Sequence, residues 1–167
     1  MRGSWTDRPR KGKAPESHSS MGATLTKDIE IRWGDLDALN HVNNTAFLRY
    51  LEEARIQWFN SLRGPWESTD YGPVVVNINC NFRREIQYPA VVSVSLDASR
   101  PSEKRVVLSN TIFDRDDPAT IYADAEVTVV WIDRHTQRSI PVPESVVASV
   151  QQPDSGTGTG TADVKSN

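Results

Sequence analysis

One segment limits what this chain can become. Over residues 44–63, Phe47, Leu51, Ala54 and Trp58 recur at i, i+4, i+7 and i+11, the spacing of one helix face. Leu48, Phe59 and Leu62 widen that face until it covers much of the circumference. A helix with so broad an apolar stripe has to be enclosed, not laid lightly on a surface. Asn43 or Asn44 can cap its first turn, and Gly64-Pro65 is expected to end it.

Strands supply the enclosure. Residues 29–33 alternate, with Ile29, Ile31 and Trp33 set against Glu30 and Arg32. Residues 74–83 alternate more clearly, with Val76, Ile78, Cys80 and Phe82 on one side and Asn77, Asn79, Asn81 and Arg83 on the other. Val92, Val94, Leu96 and Ala98 mark a third strand. Segments 104–114 and 120–133 give a fourth and fifth, joined through Asp-Asp-Pro turn chemistry. Short connections between successive strands predict an antiparallel meander, since parallel pairs need long crossovers. The expected class is α+β, one long central helix wrapped by a curved five-stranded antiparallel sheet, with a short helix at the end.

Charge divides the chain in three. The overall formal charge is −3. Residues 1–27 carry net +4, residues 28–150 net −6 and residues 151–167 net −1. The first stretch is polar and rich in Pro, Gly and Ser, so it reads as a disordered extension, and its opening MRGS resembles a tag-derived leader. The last, QQPDSGTGTGTADVKSN, reads as a flexible tail. Residues 28–150 are the expected folding unit.

Several functions drop out. An acidic unit lacks the Lys/Arg excess that neutralises phosphates, so no nucleic-acid partner is expected. No apolar run approaches the roughly 18 residues of a membrane span, so no membrane partner is expected either. A lone cysteine, Cys80, and three scattered histidines, His18, His41 and His135, argue against a metal site. There is no apolar leader, and the expected setting is cytoplasmic.

The chemistry is expected where the first strand meets the helix, in GDLDALNHVNN. Attack on a carbonyl needs a base or nucleophile on one side and hydrogen-bond donors where negative charge develops. A helix start offers unpaired N–H groups and a positive dipole end. Asp37 lies seven residues before Asn44, close enough to approach the same point from the loop.

The run RWGDLDALNHVNNTAFLRYLEEAR, followed by the strand VVVNINCNFRR, resembles the hotdog-fold acyl-CoA thioesterases of the 4-hydroxybenzoyl-CoA thioesterase-like superfamily, above all their bacterial long-chain acyl-CoA branch. The resemblance spans about residues 28–150. It implies a hotdog fold, an acyl-CoA substrate of fatty or aromatic type, and no cofactor beyond the coenzyme A of the substrate. It also implies a homodimer or homotetramer with active sites at the dimer interface. By the same resemblance Asp37 is catalytic, as general base for water or as nucleophile, and the Asn44 backbone N–H polarises the thioester oxygen.

Other residues keep two readings. His41 either transfers a proton or orients the loop by hydrogen bonding. Asn43 is a substrate-binding candidate and, more simply, an N-cap. Arg83 and Arg84 either meet coenzyme A phosphates or bridge to Glu85 or another carboxylate. Asp35 reads as a structural loop residue, Glu53 as part of a solvated or ion-paired helix face, and Cys80 as core. A hydratase or dehydratase on acyl thioesters, or a non-catalytic acyl-CoA-binding domain, are the rival functions.

Overall fold

The structure, a computed structural model, describes residues 24–151. The expected extension and tail lie outside the described residues, except for positions 24–27 and Gln151. The elements run β1 (Thr24–Glu30), α1 (Asn44–Ser61), β2 (Tyr71–Phe82), β3 (Val91–Ala98), β4 (Arg105–Asp114), β5 (Ile121–Asp133), β6 (Ser139–Ile140) and α2 (Glu144–Gln151). The class is α+β, as the patterning predicts.

Strand order corrects one expectation. The sheet reads β1-β3-β4-β5-β2, antiparallel throughout, so only β3, β4 and β5 form a meander. β2 does not pair with β3. It crosses to the far side of β5, while β1 takes the opposite edge beside β3. The connection over 83–90 is longer than the two to five residues of a tight hairpin, so it does not force neighbours together. A sixth strand, too short to read from pattern, places Ile140 and Ser139 opposite Trp131 and Ile132. It takes over where the β4 ladder stops, at Arg105 opposite Val130.

The first strand also shifts. β1 starts at Thr24 and ends at Glu30, pairing with β3 from Asp97 to Val91. Trp33 therefore leaves the alternation. It opens a 3-10 turn over Trp33–Asp35 and is 77% exposed. On β2 the register slips between Val75 and Asn77, so Val76 bulges out and the strand bends. Beyond the bulge, the Ile78, Cys80 and Phe82 side faces α1, but it sits on an edge, and only Cys80 packs partly into the core.

α1 buries Ala46, Phe47, Tyr50, Leu51, Ala54, Trp58 and Phe59. They meet a sheet face carrying Val94 and Leu96 of β3, Leu108 and Ile112 of β4, and Val127 and Trp131 of β5. Full burial of one such side chain, Leu51 for example, stabilises by about 1.5–3 kcal/mol. The helix stops at Ser61, where Leu62 turns extended and its N–H reaches only the Phe59 carbonyl. Gly64, at φ +105°, serves the next turn. There Ser145 of α2 donates to the Pro65 carbonyl, and Arg63 N–H donates to Ser149. No described helix is long and apolar enough to cross a membrane.

Candidate active site

The loop between β1 and α1 is built on Asp35. Its carboxylate is buried and accepts from the Arg32 N–H at 3.1 Å, Arg49 Nη2 at 3.0 Å and the Tyr50 hydroxyl at 2.9 Å. Its carbonyl accepts the Asn43 N–H at 2.8 Å. One buried charge thus fastens the turn to the first two turns of the helix. Burial first, then the bond to Asp35, holds the Tyr50 phenol well above its ordinary pKa. Asp35 is structural, as the sequence suggests.

Asp37 opens a small hairpin. Leu36 and Val42 bridge, Asp37 N–H donates to the His41 carbonyl at 2.8 Å, and Asn40 N–H donates to the Asp37 carbonyl at 3.0 Å. Asn40 takes φ +62°, a left-handed position that asparagine tolerates better than most residues. The half-buried Asp37 carboxylate uses Oδ1 to accept the Leu39 N–H at 2.8 Å, with the His41 N–H at 3.5 Å. Among the described residues, no donor approaches its Oδ2. The side chain therefore supports the turn with one oxygen and keeps the other open.

The hairpin leads straight into α1. Asn43 is the N-cap, its Oδ1 accepting from the Thr45 N–H at 2.9 Å and the Thr45 hydroxyl at 2.8 Å. That occupies the oxygen which the substrate-binding reading needs. Asn44 is the first helical residue, and its N–H meets no acceptor among the described residues.

The segment after β2 forms the other wall. Phe82 stands edge-on to Phe47 with centroids 5.2 Å apart, and the Val42 N–H donates to the Ile86 carbonyl at 2.9 Å. His41 Nε2 lies 3.2 Å from Glu85 Oε2. The sequence offered Glu85 only as a partner for the arginines. Arg83 instead bridges to Asp124, which also takes Asn81 Nδ2 at 2.9 Å. Asn81 and Asp124 pair across β2 and β5 on the face away from α1, so Arg83 is held there. Arg84 is exposed and forms no salt bridge among the described residues. Glu53 reaches Arg32, the ion-paired face expected of it.

At the far end of α1, Phe59 stacks on Trp66 at 4.8 Å and meets Trp58 and Trp131. Phe47 and Trp58 are fully enclosed, whereas Trp66 and Tyr71 are half-buried. Among the described residues, no three His, Cys, Asp or Glu side chains gather as a metal site requires.

Residues 31–150 match the thioesterase-like superfamily, a span that includes the Asp37 hairpin, α1 and the whole meander. The chain belongs to that superfamily. Thioester hydrolysis is its chemistry, and it is an enzyme. The superfamily assignment agrees with a relative, the long-chain acyl-CoA thioesterase FadM of Escherichia coli K12, 32% identical over 130 residues, covering 77% of this chain and 98% of that one. A putative thioesterase from Pseudomonas aeruginosa superposes with a TM-score of 0.69 at 38% identity, covering 74% of this chain and 95% of its own. A putative acyl-CoA thioesterase from Xanthomonas campestris gives 0.61 at 35% identity, over 66% and 93%. These superfamily neighbours carry the hotdog fold that the loop motif leads one to expect.

Proposed function

We propose that this chain hydrolyses acyl-CoA thioesters of fatty, medium- to long-chain, or aromatic type, with Asp37 as the catalytic carboxylate. The observation that carries the reading is the division of labour in Asp37, whose Oδ1 holds the hairpin while Oδ2 is open, in the loop that runs into α1. In the general-base form, Oδ2 takes a proton from water as the water oxygen attacks the thioester carbon. The Asn44 N–H donates to the carbonyl oxygen, where charge collects, and the positive end of α1 adds to it. The carbon–sulfur bond then breaks, and the proton on Asp37 passes to the departing coenzyme A thiolate. In the nucleophile form, Oδ2 attacks the thioester carbon and the carbon–sulfur bond breaks, expelling the coenzyme A thiolate; water then opens the resulting anhydride, releasing the acid, regenerating the Asp37 carboxylate and supplying the proton that the thiolate takes up.

His41 fits the orienting role, because Glu85 holds its ring. Arg84 is the phosphate-binding candidate that remains uncommitted; Arg83 already has Asp124. The reaction consumes only water and needs no cofactor. The acyl chain would run along α1 towards the aromatic residues at its far end. The assembly is a homodimer or a pair of dimers, formed by the β2 edge, where Val75, Val76, Ile78 and Phe82 are all exposed. A twelve-residue edge with apolar side chains, unpaired on its outer side among the described residues, invites pairing. The working compartment is the cytoplasm.

Thiol release from short, long and aromatic acyl-CoAs, compared between wild type and Asp37→Asn, tests the proposal. A positioned base contributes about 10²–10⁴-fold, and a loss of that size is expected. Unchanged release in the variant would overturn the assignment of Asp37. Tight acyl-CoA binding without any release by wild type would overturn hydrolysis itself.

A further inference from the structure

α1 has two distinct flanks. Arg49 and Glu53 lie on one, where they meet Asp35 and Arg32 just beyond β1. With 3.6 residues per turn, Leu48, Glu52, Arg55 and Phe59, at i, i+4, i+7 and i+11, form a stripe on the other. β1 and β2 are opposite edges of the sheet, so that stripe is turned towards β2.

The stripe carries an imbalance. Arg55 is only 9% exposed; its Nη1 is enclosed by its own chain without a hydrogen-bond partner, and the remaining guanidinium nitrogens, the ones a second chain can reach, make no hydrogen bond among the described residues either. Burial lowers its pKa, and Glu52 one turn earlier acts on it only through space. Glu52 is itself exposed and forms no salt bridge among the described residues. On the same stripe Leu48 is 37% exposed, and along β2, the edge it faces, Val76, Ile78 and Phe82 are exposed. A buried guanidinium in such surroundings requires an acceptor.

We infer that this flank of α1 meets its own copy across a two-fold axis, Arg55 pairing with Glu52 of the partner subunit. A two-fold contact is reciprocal, so one patch holding a cation and an anion four-fifths of a turn apart satisfies itself twice. The pairing rests on the dimer proposed above and adds what fastens it. Apolar side chains surrounding the pair exclude water, and removing one member leaves the other charge buried and uncompensated. The two charges set the register of the helices, while Leu48 and the β2 side chains supply the area.

Charge exchange between chains tests this by sedimentation and thiol release. Glu52→Arg and Arg55→Glu are each expected to weaken the dimer at least about tenfold, because like charges then meet across the axis. Mixing the two variants is expected to restore the dimer, since every pair in the mixed dimer again carries opposite signs. A contact within one helix predicts no rescue, because each chain keeps its own like-charged pair. Wild type sedimenting as a monomer at micromolar concentration overturns the dimer, and the pairing with it. A wild-type dimer that Glu52→Arg leaves unchanged, or variants that mixing does not rescue, overturns the pairing alone. Should Arg55→Glu not fold, the exposed Glu52→Arg decides by itself.

Discussion

The Tyr50 hydroxyl donates to Oδ2 of Asp35 at 2.9 Å, and both side chains are buried. Tyr50→Phe removes one donor from an enclosed carboxylate and is expected to lower stability by about 1–3 kcal/mol. The pH dependence has a definite sign. The folded phenol titrates above its ordinary value of 10.0, so its contribution is intact below that pH and is lost as pH rises towards the folded value. Urea midpoints should therefore fall above pH 10 more steeply in wild type than in Tyr50→Phe. Parallel curves would mean that the hydroxyl contributes nothing to alkaline unfolding.

Asp37→Asn and Asp37→Ala separate the two oxygens. The asparagine carbonyl can still accept from the Leu39 N–H, so its melting temperature should stay close to wild type. Alanine loses the turn support and should cost about 0.5–2 kcal/mol, as other caps of this kind do. Thiol release should be low in both. Activity that tracks stability across the pair would make Asp37 a turn residue and nothing more.

Glu85→Gln keeps the size of the side chain and removes the charge beside His41 Nε2. If His41 orients the loop, kcat is expected to fall less than tenfold, far less than in Asp37→Asn. A loss as large as that of Asp37→Asn would place His41 in proton transfer.

Gly64→Ala checks the junction of α1 and α2. The residue sits at φ +105°, and an added Cβ would lie 3.1 Å from the Ser145 Cβ. A cost of about 1–3 kcal/mol is expected from strained backbone alone. Thermal unfolding measures it, with no change expected in thiol release per folded molecule.

Much of this was readable from local pattern. Phe47, Leu51, Ala54 and Trp58 announce α1 because helix period and burial are the same fact seen twice. Asp37 and Asn44 stand out because loop and helix start are adjacent in the chain. The edge position of β2 was not readable, since strand order depends on pairing between Asn77 and Thr128 or Phe82 and Ala123, distant in sequence. Trp33 misled because alternation continues in the letters after the backbone has turned. Arg83 carries no local sign that Asp124 will claim it, and Glu85 none that His41 will.

The four contacts that converge on Asp35 also govern how the site moves. Loosening the hairpin at Asn43 would strip a donor from the Asp35 carbonyl and disturb a buried charge held by Arg49 and Tyr50. Hairpin and first helical turns therefore open together or not at all, as one cooperative unit. Amide exchange at Val42 and Asn43 should be as slow as in the centre of α1.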